Sequence, residues 1–170
     1  MDDQDEDRLR ALIPRLRQFA RSLCGDGSAA DDLVQATLER ALRGWPSRHT
    51  QQALQPWLFS ILYRQFIDER RRARRWTHLL ERVGLAQEAH APSAERVNEG
   101  RDALAAFAHL PDEQRALLML VGVEGFSYRE AADTLGVPIG TVMSRLARAR
   151  EKLRQHTDGH AATPRLRILK

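Results

Sequence analysis

The sequence predicts an all-α protein made of two small helical domains joined by a flexible linker. Apolar residues recur at three- and four-residue spacing through most of the 170 residues, as they do in amphipathic helices. No segment shows the two-residue alternation that is typical of a strand. The helical period fades between residues 77 and 100, in an Ala- and Glu-rich stretch that is typical of a linker. The predicted domains are therefore residues 8–76 and 101–155.

Two helices open the first domain. Residues 1–7 are strongly acidic and are expected to form a tail, and Pro14 should either kink the first helix or mark its start. Ser28 is expected to cap the second helix, and Gly44 with the residues after it should end that helix. The apolar positions that should pack are Leu9, Leu12, Ile13, Leu16, Phe19, Ala20 and Leu23 in the first helix, and Ala30, Leu33, Val34, Thr37, Leu38, Ala41 and Leu42 in the second.

The polar side of the second helix is acidic, with Arg40 and Arg43 only near its end. The residues on this side are Asp31, Asp32, Gln35 and Glu39. Such a face suits the docking of a basic helical partner. Acids are also favoured in the first turn of any helix, which would explain Asp31 and Asp32 without a partner. Spacing alone does not decide between these explanations.

The third helix should begin at Pro56 and end near Trp76, with a broad apolar face on one side. The stripe opposite that face contains Trp57, Ile61, Arg64, Asp68, Arg71 and Arg75. An exposed tryptophan above a row of arginines suits single-stranded nucleic acid, because aromatic rings stack on bases and cations bind the backbone. The alternative is that Trp57 anchors the preceding loop and that the arginines form a basic helix end favoured by the helix dipole.

A helix-turn-helix is predicted between Ser127 and Leu153. Ser127 and Glu130 have the spacing of a capping box, Gly136 can end the first helix, and Val137-Pro138 carries the turn. The second helix has one apolar stripe, formed by Val142, Leu146, Ala149 and Leu153. Its other side presents Thr141, Ser144, Arg145, Arg148 and Lys152. Hydroxyls and arginines so placed suit the DNA major groove, although an ordinary helical hairpin with a solvated basic face is the alternative.

Composition and charge narrow the possible functions. The formal net charge is +4 although five of the first seven residues are acidic, so the rest of the chain is clearly basic. Nearly all the bases are arginines, which favours a polyanionic partner, although GC-rich coding also enriches arginine. Residues 156–170 show no periodicity and are expected to be a disordered tail.

Several classes of site and location are excluded at this level. Cys24 is the only cysteine, which excludes an internal disulfide framework and a multi-cysteine zinc site. The histidines show no metal-binding spacing apart from His156 and His160 in the expected tail, so no metal or cofactor is predicted. No apolar run is long enough for a membrane span, and the N-terminus is acidic where a signal peptide would be basic. The protein is therefore expected in the cytoplasm.

Three motifs resemble the extracytoplasmic-function (ECF) branch of the bacterial sigma-70 superfamily, over about Leu9 to Leu153. Residues 32–35, DLVQ, resemble part of region 2 of that family. Residues 57–75, WLFSILYRQFIDERRRARR, resemble the helix that melts and reads the minus-10 promoter element. Residues 110–120, LPDEQRALLML, and residues 140–145, GTVMSR, resemble region 4, which reads the minus-35 element.

The resemblance implies roles and partners for the candidate residues. It assigns Asp32 and Gln35, with their neighbours on the acidic face, to the β′ coiled coil of core RNA polymerase. It assigns Trp57 and the arginine stripe to the non-template strand, and Ser144, Arg145 and Arg148 to the major groove. It also implies contact of region 4 with the β flap, an anti-sigma factor as partner, and a flipped promoter base held by residues 45–55. This chain departs from the family at Arg64, where asparagine is usual, and at Met143, where lysine or arginine is common.

The function expected from these observations is that of a promoter-specificity subunit and not of an enzyme. Such a subunit binds core polymerase and promoter DNA, and it offsets the cost of unpairing the minus-10 element by capturing extruded bases and phosphates. A sigma-like decoy that sequesters an anti-sigma factor without binding DNA is the main alternative. An ordinary helix-turn-helix repressor is a third possibility, but it leaves the acidic face and the Trp57 helix without a role.

Overall fold

The described part of the chain is helical throughout, in agreement with the all-α prediction. The computed structural model describes residues 3–47, 53–83 and 105–161. Its helices are α1 (Asp3–Cys24), α2 (Gly27–Gly44), α3 (Leu54–Val83), α4 (Asp112–Gly122), α5 (Tyr128–Leu135) and α6 (Ile139–Ala161). A 3-10 turn at Trp45–Ser47 follows α2, and residues 105–108 are helical. No strand occurs within the described ranges.

Helices α1, α2 and α3 form the first domain around a core of leucine and phenylalanine. Leu16, Phe19, Leu33, Leu58 and Leu62 have almost no exposed surface, so most of the apolar positions predicted from spacing are packing positions. The prediction is wrong for Leu42, which is 49% exposed near the end of α2. An aromatic contact in this core joins Phe19 and Phe59, with ring centroids 5.1 Å apart. Burial of these side chains stabilises the bundle far more than the intrinsic preference of each helix does.

The start of α2 differs from the sequence prediction. Asp26, not Ser28, is the N-cap: its backbone is extended and its carboxylate accepts a hydrogen bond from the Ala29 amide at 2.8 Å. Gly25 before it adopts a φ of +72°, a conformation that L side chains rarely adopt. The chain therefore turns sharply enough for α2 to begin at Gly27, and Ser28 lies inside the first turn.

Three helix ends also lie beyond their predicted positions. Helix α1 begins at Asp3 and runs through Pro14, so most of the expected acidic tail is helical, with acids in the first turn where the helix dipole favours them. Helix α3 continues past Trp76 to Val83, because no helix breaker precedes Gly84. Helix α6 continues to Ala161, so the expectation of disorder is wrong for residues 156–161. The expected linker at 84–100, loop residues 48–52, the tail from residue 162 and the side chains of His156 and His160 lie outside the described residues.

The helix-turn-helix forms as the sequence predicts. The Ser127 amide donates to Glu130 Oε2 at 2.8 Å, and the Glu130 amide donates to Ser127 Oγ at 3.2 Å, which completes the capping box. Gly136 ends α5 with a φ of +67°. Val142, Leu146 and Ala149 of α6 are buried, and the basic side of α6 faces outward.

The two domains pack directly against each other, a contact that the sequence did not predict. Phe126, in the turn between α4 and α5, packs on Phe59 of α3 with ring centroids 5.4 Å apart. Arg115 of α4 is buried and donates to the carbonyl oxygen of Leu23, at the end of α1, at 3.0 Å. Buried residues of both domains therefore form one continuous apolar core.

Candidate nucleic-acid interface

The first half of α6 presents an exposed polar surface. Ser144 and Arg148 are exposed, and Thr141 between them and the turn is half-buried. The Arg148 guanidinium donates to the Ser144 carbonyl oxygen at 3.3 Å and approaches Ser144 Oγ at 3.5 Å, so these two side chains form one surface unit. Lys152 is exposed one turn further along. A hydroxyl beside a guanidinium can accept from and donate to base edges, and a lysine further from the helix start suits a phosphate.

Arg145 differs from the other predicted residues of α6. Its guanidinium forms an ion pair with Glu113 at the start of α4, at 2.8 Å, and the side chain is only 25% exposed. On a helical wheel Arg145 lies toward the buried side of α6, about 100° from Ser144. The structure therefore directs Arg145 toward the neighbouring helix and leaves Ser144 and Arg148 on the outer face.

The stripe predicted on α3 is exposed except at its upper end. Arg64, Asp68, Arg71 and Arg75 are exposed along one side of the helix. Trp57 is half-buried and contacts the ring of Trp45 edge-on, with centroids 5.8 Å apart and planes at 73°. The expectation of an exposed tryptophan is therefore wrong. Trp45 lies in the 3-10 turn, so Trp57 fits the alternative in which it anchors the chain entering the loop.

The basic end of α3 meets the acidic start of α4. Arg70 forms an ion pair with Asp112 at 3.3 Å and lies over the ring of Phe66, with 5.3 Å between the guanidinium and the ring centroid. A cavity of about 420 Å³ opens between the two helices. It is lined by Ile67, Arg70, Arg71, Arg74, Pro111, Asp112 and Glu113. Part of the arginine run is therefore opposed by carboxylates of the second domain.

The predicted acidic face of α2 is present and open to solvent. Asp31, Asp32, Gln35 and Glu39 are all exposed. Asp31 pairs with Arg17 of α1 at 2.8 Å, and Gln35 donates to Glu39 at 3.2 Å. Because α2 begins at Gly27, its first turn contains no acid. The preference for acids in a first turn therefore does not account for Asp31 and Asp32.

Two side chains at the contact between the domains have shifted pKa values. Burial raises the pKa of Tyr63 on α3 to about 12, with Glu113 raising it further and Arg145 opposing that effect. Burial also raises the pKa of Glu124, in the turn after α4, while Arg15 of α1 opposes the shift. Sequence patterns could not reveal either group, because each environment combines residues that are far apart in the chain.

The described residues show neither a metal site nor a membrane helix. Within those ranges, no group of three or more His, Cys, Asp or Glu side chains is placed to hold a metal ion. None of the described helices is both long enough and apolar enough to cross a membrane.

Comparison with known proteins gives the family. A model described as sigma-70, region 4 matches residues 101–153, and one described as the Sigma2 domain of PhyR matches residues 9–63. Over 151 residues the chain is 40% identical to the ECF RNA polymerase sigma factor EcfG of Rhodopseudomonas palustris (strain TIE-1). This alignment covers 89% of this chain and 83% of that one.

Solved structures agree with this relationship. The sigma factor RpoE, in complex with the anti-sigma factor NepR from Bartonella quintana, is 33% identical with a TM-score of 0.77, covering 92% of this chain and 98% of that one. The anti-anti-sigma factor PhyR of the same organism, also complexed with NepR, is 20% identical with a TM-score of 0.58 over 88% of this chain and 49% of that one. The second likeness is one of fold alone. With two sigma domains in order and a relative of 40% identity over most of both chains, this protein belongs to the ECF sigma factors, which act with RNA polymerase in transcription initiation.

Proposed function

We propose that this chain binds core RNA polymerase, directs it to promoters with particular minus-35 and minus-10 sequences, and helps to open the DNA at the minus-10 element. The observation that carries the proposal is the exposed Ser144–Arg148 unit on α6. Its side chains are free of the domain packing that covers much of the second domain. An arginine and a hydroxyl on the outer face of a recognition helix are suited to reading bases in the major groove.

Core binding is assigned to the acidic face of α2. Asp32 and Gln35 are exposed there, with Asp31 and Glu39 on either side. Carboxylates beyond the first turn of α2 offer a negative surface to a basic helical partner, which the family resemblance identifies as the β′ coiled coil. Region 4 would contact the β flap, so that the enzyme holds both domains on one promoter.

Opening of the minus-10 element is assigned to the exposed arginines of α3. Arg64, Arg71 and Arg75 form a row of cations along the helix, which suits the backbone of a single strand. Contacts that form only with unpaired DNA offset the cost of unpairing a few base pairs. Trp57 has a supporting part in this proposal: with Trp45 it holds the start of the loop in which a flipped base would bind.

An anti-sigma factor is the proposed regulatory partner, and the cytoplasm is the proposed site of action. The similarity to a sigma factor bound to NepR supports this partner, since the likeness extends over 92% of this chain. A sigma-like decoy is the second candidate, because the matching model of the first domain is that of PhyR. A decoy would not need the exposed arginines of α3 and α6, so these residues favour the sigma factor.

A transcription assay tests the proposed function. Core RNA polymerase with the wild-type chain should give run-off transcripts from particular promoters of a genomic library, and a decoy would give none. Asp32→Arg combined with Gln35→Ala should abolish co-purification with core polymerase, because it reverses the charge of an exposed face without touching the core. Asp7→Arg, which alters another exposed acid of the same domain, is the matched control and should co-purify normally. Unchanged binding by the double variant would contradict the assignment.

A further inference from the structure

A buried polar cluster joins the two domains. Glu124, in the turn between α4 and α5, has a side chain only 2% exposed, and its Oε2 accepts from Arg15 Nε of α1 at 2.7 Å. Arg15 also donates to the Glu124 carbonyl oxygen at 3.1 Å. Gln55, at the start of α3, donates to the same carbonyl oxygen at 3.3 Å, and its own Oε1 lies 3.4 Å from Arg15 Nη1. Two helices of the first domain therefore hold both the side chain and the backbone of a single residue of the second.

The cluster can form only while the two domains are packed against each other, an arrangement called the closed state below. A buried carboxylate without a partner is costly, so the loss of Arg15 alone should destabilise the contact between the domains. Each partner can be hydrated once the domains separate, because Arg15 is already 42% exposed and Glu124 lies in a surface turn. The polar part of the contact can therefore be broken without leaving an unsolvated charge. The adjoining Phe59–Phe126 contact adds apolar burial to the same interface.

Closure also brings the two proposed DNA surfaces together. The start of α4 contacts both helices that carry these surfaces: Asp112 pairs with Arg70 of α3 at 3.3 Å, and the adjacent Glu113 pairs with Arg145 of α6 at 2.8 Å. The minus-10 and minus-35 elements are separated by about 25 base pairs, or about 85 Å of duplex at about 3.4 Å per base pair. A chain whose two reading helices both pair with adjacent residues at the start of α4 cannot span that distance.

The connecting chain is long enough to permit separation. Residues 84–104 lie between the two domains, and a segment of 21 residues can extend to at most about 70 Å. Both reading surfaces are themselves exposed in the closed arrangement, since Arg64 and Arg148 face solvent. Closure therefore prevents simultaneous binding of the two elements and leaves the binding of either one possible.

We propose that the Arg15–Gln55–Glu124 cluster is a self-inhibitory latch, which keeps the free chain closed until core polymerase holds its domains apart. The inhibitory consequence rests on the proposed function, whereas the closed state of the free chain does not. The apparent affinity for a two-element promoter is reduced by the fraction of molecules that are closed. Weakening the latch should therefore lower the concentration of chain needed for half-maximal transcription.

The latch is tested by a distance measurement in the free protein. Spin labels are placed at the exposed positions Gln18 and Asp133, one in each domain, by cysteine substitution in a Cys24→Ser background. The wild-type chain should give one short, narrow distance distribution. Arg15→Glu places two carboxylates against each other and should give a longer and broader one. Arg17→Glu is the matched control, because it makes the same change two residues away in α1, where the 2.8 Å ion pair with Asp31 lies within one domain.

Two neutral variants test whether a longer distance reflects opening of the latch or loss of the folded structure. Arg15→Gln and Glu124→Gln should each lengthen the distance, and the double variant should return toward the wild-type distribution, because it leaves no unpaired buried charge. A simple loss of structure would not be repaired in this way. A broad wild-type distribution, an Arg15→Glu distribution as short as the wild type, or a double variant as open as Arg15→Glu would overturn the proposal.

Measurements with core polymerase test the latch and the proposed function separately. Adding it should lengthen the wild-type distance, and Arg15→Glu should need less chain than the wild type for half-maximal transcription from a two-element promoter. An equal requirement would overturn the inhibitory role of the contact. If Arg15→Glu opens the free chain but neither protein supports transcription, the proposed function fails and the closed-state contact stands.

Discussion

The basic faces of α3 and α6 look alike in sequence but differ in their surroundings. On α6, Ser144 and Arg148 lie on the open side of the helix. On α3, the upper end of the stripe is half-covered where Trp57 meets Trp45, and the lower end faces Asp112 and Glu113 across a cavity. A helical wheel identifies the polar side of a helix in both cases. It does not show which parts of that side another domain covers.

The first prediction concerns the open face and carries the largest expected effect. Arg148→Ala should weaken recognition at particular minus-35 positions by about 1–3 kcal/mol, the cost of a lost bidentate base contact. Lys152→Ala should weaken all promoters alike and reduce the dependence of affinity on salt, as the loss of a phosphate contact does. Binding to a set of minus-35 duplexes at several salt concentrations measures both. If Arg148→Ala acts as uniformly as Lys152→Ala, then Arg148 contacts phosphate and our orientation of α6 is wrong.

The accuracy of the sequence prediction differs between local and distant features. Ser127, Glu130 and Gly136 were placed correctly because a capping box and a left-handed cap depend only on residues within one turn. The N-cap of α2 was misplaced because Asp26 and Ser28 are both good caps, and the choice depends on the backbone at Gly25. The contact of Arg15 with Glu124 joins residues 109 positions apart, and no local pattern encodes it.

The second prediction concerns Arg64, in the middle of the α3 stripe. Arg64→Ala should reduce opening of the minus-10 region about tenfold, since a typical hydrogen bond contributes about 0.5–1.5 kcal/mol and about 1.4 kcal/mol is a factor of ten. Closed-complex affinity should change much less, because we assign the binding of duplex DNA mainly to α6. Permanganate reactivity of thymines near minus-10, compared with filter binding, measures the difference.

Two further variants of the same experiment sharpen the result. A template with a premelted bubble should partly restore transcription by Arg64→Ala, because no unpairing cost remains. Equal losses on duplex and bubble would indicate that Arg64 serves folding or core docking instead. Arg64→Asn restores the residue that is usual in the family and should change the preferred minus-10 base while opening persists.

The last prediction concerns Trp57 and has the smallest expected effect. In the anchoring explanation, Trp57 acts through its ring contact with Trp45, so Trp57→Phe keeps most of that contact and opening should stay within about twofold of the wild type. Trp57→Ala removes a half-buried ring and should lower the free energy of unfolding by about 2 kcal/mol. Thermal unfolding followed by circular dichroism measures the stability of both variants.

Binding of a single-stranded minus-10 oligonucleotide distinguishes anchoring from stacking. If Trp57 stacks on an unpaired base, Trp57→Ala should lose about 1–3 kcal/mol of affinity for a single-stranded minus-10 oligonucleotide even where the protein is fully folded. If Trp57 anchors the loop, a folded Trp57→Phe chain binds that oligonucleotide as the wild type does. Loss of binding by Trp57→Phe at unchanged stability would favour direct stacking and would make the two ends of the α3 stripe functionally alike. Binding retained by both Trp57→Phe and a folded Trp57→Ala chain would mean that the nucleic-acid surface of α3 begins below the tryptophan, at Arg64.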